Sequence, residues 1–386
     1  MNILLTNFHS GRGGGHVTYV IAIAKALAQR HSISIATPST SSLYLEAQAL
    51  PHVTLVPMDF PSKINQLGSM WQAARSLRKL ITHGQIDIVH VNGSADHRLV
   101  MIATAHLGRR KPRIIFTKHN SIAVGRGFAN IVRARRATHH VIAVSDFTAS
   151  MLRDTPYQRN GVTVVKNGVD TLRFSPPDAE TMLQRRREIV GDENAGKLII
   201  GTVTGFEWYK GTMDLVAAVA SLPMPLREQV HLIVVGPEPT REQWATIDAL
   251  NMRSALSVAG LLNDVRPHIA AFDLGFVLSH AIETVSFACR EMMAMAKPVI
   301  VSRYAGLPEN ITDGVDGWIV EPQAPAQLST RLADIVARRS EIEAMGRLAR
   351  LRAEAEFSDR HFIDGTEAVY RRVFDAGKPA PRYVKT

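Results

Sequence analysis

Two carboxylates eight positions apart, Glu283 and Glu291, occupy the most chemically suggestive stretch of the chain. The apolar run from Leu274 to Leu278 reads as a strand, and a short polar turn holds Glu283. Phe287 to Ala296 then carries helical periodicity that Lys297-Pro298 ends. Glu283 therefore falls just before a helix N-terminus, where free N–H groups and the positive end of the helix dipole can receive a diphosphate. A carboxylate there would stand beside the attached sugar, because carboxylates accept hydrogen bonds from paired hydroxyls. Glu291 lies farther along the same helix. The arrangement suggests a sugar-nucleotide site, although two glutamates at this spacing also describe a solvated helix face.

A second candidate is the glycine cluster Ser10-Gly-Arg-Gly-Gly-Gly-His16, directly after the opening strand. A dinucleotide fingerprint needs a third glycine and an acidic residue about 20 positions on to hold the ribose. Here His16 takes the place of that glycine, and the second strand ends in Ala36-Thr37-Pro38 with no acid. The spacing disfavours NAD, and a plain tight turn is the other reading. The chain has no cluster of His and Cys at metal-ligand spacing.

These candidates need a scaffold, and the hydrophobic pattern supplies one. Strands alternate with helical segments, as in parallel sheets covered on both faces. The first set of strands is Ile3 to Thr6, Ile33 to Thr37, Val53 to Val56, Ile86 to Val91, Ile114 to Lys118, Val141 to Val144 and Val162 to Val165. The second is Leu198 to Val203, His231 to Val235, Leu256 to Ala259, Leu274 to Leu278, Val299 to Ser302 and Trp318 to Val320. Two successive doubly wound units predict an α/β protein of two Rossmann-like domains facing each other across a cleft. A chain of 386 residues, 46% of them hydrophobic, is long enough for two full cores. No apolar run is long enough to span a bilayer, and the N-terminus enters a strand with no secretory signal. The single cysteine, Cys289, cannot form an intrachain disulfide, so a cytoplasmic location is expected. Cys289 itself reads as a small core residue.

Several motifs together resemble the retaining glycosyltransferases of family 4. Glu283-Thr-Val-Ser-Phe-Ala-Cys-Arg-Glu291, Pro298-Val-Ile-Val-Ser302, Arg303-Tyr-Ala-Gly-Leu-Pro-Glu309 and Gly314-Val-Asp-Gly-Trp-Ile-Val-Glu-Pro322 are similar to its donor-binding half. Val165-Lys-Asn-Gly-Val-Asp-Thr-Leu-Arg-Phe-Ser-Pro176 resembles its link between domains. Val285 and Ser286 stand where that family usually has Phe-Gly, and Leu307 where the second glycine of a turn is expected. Lys210, in Glu207-Trp-Tyr-Lys-Gly211, resembles the phosphate-binding lysine, but Gly205 occupies the position of its partner arginine. Arg303, Arg241 and Arg290 are possible substitutes.

The resemblance implies the GT-B architecture. It places an acceptor-binding domain at residues 1–170, with a returning C-terminal segment at 358–386, and a donor-binding domain at 171–357. It implies transfer of a sugar, with retention, from a nucleoside-diphosphate sugar to a glycan or lipid-linked glycan. Uridine is the commoner base and guanosine stays open. His119, Glu283 and Lys210 would act on the reacting sugar and diphosphate, with His119 hydrogen-bonding rather than attacking. Gly205, Leu261, Thr284, Val285 and Ser286 would line the donor site, Glu291 would hold the ribose, and Gly13, Gly14 and Gly15 would approach the phosphates or the acceptor. No cofactor or metal is expected, since Lys210 and a helix N-terminus supply the positive potential. A net charge of +10 calls for an anionic partner. No recognised nucleic-acid module accompanies the basic runs at Arg109-Arg-Lys111 and from Arg126 to Arg136, which disfavours nucleic acid. Peripheral contact with anionic lipid at the inner face of the cytoplasmic membrane, in lipopolysaccharide or surface polysaccharide assembly, is the expectation. A nucleotide-sugar-binding scaffold without turnover and a sugar-nucleotide epimerase of the same two-domain plan are the alternatives.

Overall fold

The computed structural model describes residues 1–11, 14–62 and 64–376. The chain divides into two compact units, Met1–Gly168 together with the segment that begins at Arg360, and Val169–Asp359.

The first unit is built on seven parallel strands: β1 (Asn2–Thr6), β2 (Ser32–Thr37), β3 (Val53–Pro57), β4 (Ile88–Val91), β5 (Arg113–Lys118), β6 (His140–Ala143) and β7 (Val162–Val164). Their order is β3-β2-β1-β4-β5-β6-β7. The second unit has six: β8 (Leu198–Thr202), β9 (Val230–Val234), β10 (Leu256–Val258), β11 (Leu274–Val277), β12 (Val299–Ser302) and β13 (Gly317–Val320), ordered β10-β9-β8-β11-β12-β13. Each strand foreseen from the hydrophobic runs is present. The fourth starts two residues late, because Asp87 is drawn into a turn in which its side chain accepts from the Asn2 N–H at 2.8 Å. In each sheet the strand order reverses once, between β1 and β4 and between β8 and β11. In open α/β sheets, ligands bind beyond the carboxyl ends of the strands at such a reversal.

Covering both faces of a sheet demands apolar residues at consecutive positions. In the second unit Leu198 and Ile200 enter one core and Ile199 the other; Leu232 and Val234 likewise oppose Ile233. The helix Phe287–Ala294 stops short of the expected Ala296 because Ala296 turns left-handed, at φ 58°, and Lys297 N–H returns to the Met292 carbonyl at 3.0 Å.

The first unit is closed by its C-terminal helix, Asp359–Asp375. Its Tyr370 hydroxyl lies 2.5 Å from Nδ1 of His90, a fully buried side chain at the centre of β4, while His90 Nε2 is 2.5 Å from Thr117 Oγ1. Tyr19 OH joins the same Thr117 hydroxyl at 3.1 Å. Burial pushes His90 down to about 3, so the ring is neutral and uses one nitrogen as donor and the other as acceptor. Glu367 of the same helix receives His31 at 3.0 Å and Arg30 at 2.9 Å. Its burial opposes ionisation, but hydrogen bonds from Arg371 and His31 outweigh this and hold the carboxyl below its usual range.

Removing the hydroxyl in Tyr370→Phe strands a buried ring nitrogen of His90. The expected loss is about 1–3 kcal/mol, read as a lower Tm in a thermal melt; an unchanged Tm would show that the network holds nothing.

Candidate functional site

In the second unit the loops that leave β8 and β11 meet at the strand-order reversal. The β8 loop runs from Thr204 to Gly211, and its Tyr209 carbonyl accepts from the His280 N–H of the β11 loop at 2.9 Å. Next to that bridge, Lys210 Nζ donates to Glu283 Oε2 at 2.7 Å, with the two side chains 16% and 15% exposed. The Tyr209 ring lies 4.9 Å from the same ammonium. Glu283 Oε1 also accepts from the Thr284 N–H at 3.2 Å. The structure thus pairs two residues singled out separately in the sequence. A cation and a carboxylate at the mouth of a helix can meet a diphosphate and a polyol together.

The turn that carries Glu283 is strained on both sides. Ile282 has φ 60° and Ser286 φ 54°, a conformation that branched side chains rarely adopt. Ser286 stands where a glycine was expected, yet it holds the left-handed turn a glycine would supply. Its Oγ accepts from the Cys289 N–H at 3.4 Å and so caps the helix. Val285 is buried, and its carbonyl accepts from Asn310 Nδ2 at 2.7 Å. Leu307 opens a 3-10 turn, Leu307–Asn310, and is fully buried, so a side chain is wanted there. The left-handed residue is Ala305, at φ 48°.

At Gly205 the absence of an arginine has a steric cause. Its φ is +68°, and a Cβ would lie 2.4 Å from Pro237. The segment is pinned by Thr212 Oγ1 donating to the Gly205 carbonyl at 2.6 Å and by Phe206 N–H to the Pro237 carbonyl at 2.8 Å. Of the three arginines considered as substitutes, Arg290 is fully buried, donates to Asn310 Oδ1 at 2.9 Å and lies 4.2 Å over the Phe357 ring. Arg303 is paired with Glu321 at 2.7 Å. Arg241 is exposed and heads the helix Arg241–Ala249, whose Gln243 donates to the Phe206 carbonyl at 2.9 Å. It is the one of the three that is free to turn toward the Lys210 loop.

Glu291 has no hydrogen-bond partner to its side chain among the described residues. Burial pushes its carboxyl up to about 7, against the opposing charge of Arg173. Arg173 was missed in the sequence; its signal was the Asp170-Thr-Leu-Arg173 turn, in which Asp170 accepts from the Arg173 N–H at 2.9 Å. Leu261 is 82% exposed and follows Gly260, whose carbonyl accepts from Gly236 N–H at 2.7 Å. That bond sets the Leu261 segment beside the Gly236-Pro237 turn on which Gly205 packs.

The first unit gathers a different group around the ends of β1, β4 and β5. Asn92 Nδ2 donates to the Thr6 carbonyl at 3.0 Å, which turns its Oδ1 toward His119. His119 Nε2, 2.9 Å away, is therefore the N–H, and Nδ1 is the acceptor nitrogen. The His119 ring lies 4.4 Å from His16 and 4.5 Å from Tyr19, and His9 is 4.4 Å from His16. Burial first, then the neighbouring imidazoles and Lys118, keep His119 far below its ordinary value. Lys118 is only 5% exposed and burial pushes it down to about 8. Gly14, at φ +113°, precedes the helix Gly15–Leu27, and a side chain there would meet nothing, so the backbone is open to approach. Gly13 lies outside the described residues. His9, Asn92 and Lys118 were not recognised in the sequence, where single polar residues at or just after strand ends carry no periodic signal, and His16 was read only as the residue in place of a third glycine.

Among the described residues, no group of three or more His, Cys, Asp or Glu side chains is placed to hold a metal ion, and no helix is long and apolar enough to cross a membrane.

Two family profiles match the chain: Glycosyltransferase Family 4 over residues 13–173 and Glycosyl transferases group 1 over residues 197–338. A D-inositol 3-phosphate glycosyltransferase of Geodermatophilus obscurus is 26% identical over 94% of this chain and 85% of its own length. Among solved structures, a glycosyltransferase from Rickettsia africae superposes with a TM-score of 0.82 at 18% identity, covering 96% of this chain and 98% of that one. Anabaena HepE, in complex with UDP, gives 0.80 at 17% identity over 96% and 100%. These likenesses establish two Rossmann-like sheets in the GT-B fold.

Because Pro237 fills the space beside Gly205, Gly205→Arg is expected to destabilise the second unit by more than about 2 kcal/mol without adding a useful cation. A variant as stable as the parent in urea would contradict this packing.

Proposed function

This chain belongs to glycosyltransferase family 4 and is a glycosyltransferase; we propose that it works with retention and without a metal, on a UDP-sugar donor. The observation that carries this reading is the Lys210–Glu283 pair at the β8/β11 reversal. Without ligand the two side chains neutralise each other. A nucleotide sugar replaces both halves of the pair: its diphosphate takes Lys210 and the N-terminus of Phe287–Ala294, and its sugar hydroxyls take Glu283. Glu291, unpartnered, accepts the ribose diol, and the backbone near Leu261 meets the base. Lys210, with Arg241 as the second cation in place of the arginine absent at 205, offsets the charge that grows on the leaving diphosphate. A phosphate oxygen of that leaving group takes the acceptor's proton as the acceptor attacks from the same face. His119, neutral, hydrogen-bonds a sugar hydroxyl. The choice of UDP rests on the family resemblance and on the ligand that HepE holds.

In this reading the first unit takes the acceptor, a glycan or lipid-linked glycan. Assembly of lipopolysaccharide or surface polysaccharide at the inner face of the cytoplasmic membrane is the proposed setting. Its support is the net charge of +10 and the exposed Arg109, Arg110, Arg126, Arg135 and Arg136 of the first unit. Closure of position 205 to any side chain favours one second reading, a binding scaffold without turnover. An epimerase would consume donor with no acceptor present.

Two measurements test the assignment. A nucleotide sugar has no phosphate proton that titrates near neutrality, whereas Glu291 does, and only its ionised form can accept from both ribose hydroxyls. Affinity for UDP-glucose is expected to fall by up to about tenfold per pH unit below pH 7, and Glu291→Gln should flatten that dependence; an unaltered pH profile would remove the ribose role. In transfer assays Lys210→Ala should cost about a hundredfold in kcat. Proton NMR of the first product formed should show the donor's own anomeric configuration, and the opposite anomer would exclude retention.

A further inference from the structure

The first unit encloses a pocket of about 270 Å³ whose lining includes Lys118, Arg133, His9, His16, His97 and His119, and no aspartate or glutamate. Lys118 is the telling member. The residue is only 5% exposed, and its ammonium donates to two neutral oxygens, Asn120 Oδ1 at 2.6 Å and the Ile122 carbonyl at 2.5 Å. No carboxylate pairs with it among the described residues, and one of its three hydrogens remains to be used. A buried cation without a countercharge is costly, and proteins ordinarily supply the partner. The buried Asp96 is engaged elsewhere through one oxygen: its Oδ2 accepts from Thr6 Oγ1 at 2.7 Å and from the Asn92 N–H at 2.8 Å. It does not line the pocket.

The remaining walls point the same way. Arg133 is held in place by donating to the Ser94 carbonyl at 3.3 Å and to Asn130 Oδ1. Gly93 and Ser94, at the start of the helix Ser94–Thr104, also line the pocket. His16 Nδ1 is shut off from solvent and has no hydrogen-bond partner. Phe8, Phe116 and Tyr157 give the pocket an apolar side.

We propose that this pocket binds the acceptor by an oxyanion, a phosphate monoester, whose charge supplies the partner that Lys118 lacks, with Arg133 as the second contact. The inference rests on the reading that the first unit takes the acceptor and adds the chemistry by which it is recognised. The phosphate can belong to a soluble sugar phosphate or to a lipid carrier, and both present the same oxygens.

The test uses the full chain with UDP at saturation, so that the donor site is filled and phosphate probes report on the pocket alone. Glucose 6-phosphate and inositol 1-phosphate are titrated against glucose and inositol. Phosphatidylcholine vesicles with and without polyprenyl monophosphate form the lipid arm. The expected result is a preference of at least about tenfold for the phosphorylated form in one arm, lost in both Lys118→Met and Arg133→Gln while UDP affinity stays as in the parent. A preference for the soluble probes assigns the oxyanion to a small acceptor, and one confined to vesicles assigns it to a lipid carrier. Equal binding of neutral and phosphorylated probes, a preference that survives both substitutions, or no phosphate binding in either arm overturns the proposal. UDP titrated alone reads the donor site separately: a protein that takes UDP and no phosphorylated probe loses this pocket and keeps its donor assignment.

Discussion

An ammonium and a carboxylate 2.7 Å apart, each about five-sixths shielded from solvent, can be held only if two separate loops are placed with ångström accuracy. Lys210 and Glu283 are 73 residues apart in the chain, and neither loop has regular structure of its own. The strands beneath them provide the accuracy. β8 and β11 are neighbours in the sheet although two strands and several helices separate them in sequence, with Gly201 opposite Gly275 in register. The pair is weak as a source of stability, because desolvating both charges offsets most of their attraction. Under the proposed function its value is as a pre-organised contact that an anionic polyol displaces without leaving either charge stranded.

Strain sits where that displacement would occur. Ile282 and Ser286 bracket Glu283 in left-handed turns that their side chains disfavour, and buried neighbours such as Val285 and Asn310 hold them there. The first unit uses a different device. There, polar rings of the cluster are kept uncharged by burial and by one another, and Asn92 selects the tautomer of His119. One site is thus organised by opposite charges in contact and the other by neutral rings around a lysine with no carboxylate beside it.

Much of the fold was legible in the chain because its causes are local. Consecutive apolar residues such as Leu198-Ile-Ile200 mark strands buried on both faces, and the polar turns between them mark the ends at which ligands bind. Glu283 and Lys210 were legible as separate motifs, but their mutual contact was not, since it depends on which strands become neighbours. Gly205 shows the limit more sharply. As a letter it is a missing arginine; in space it is a position that Pro237 closes. Ser286 was read as a loss of glycine, whereas its backbone keeps the glycine conformation and its hydroxyl adds a cap. The setting of Lys118 was invisible, because burial without a neighbouring carboxylate is a fact about which segments pack around it, not about the sequence on either side.

The most direct measurement is a crystal structure of the chain with UDP bound. The diphosphate should take Lys210 away from Glu283, and both ribose hydroxyls should lie within hydrogen-bond distance of Glu291. A nucleotide bound elsewhere, or one bound with the Lys210–Glu283 pair still closed, would contradict the assignment of the donor site.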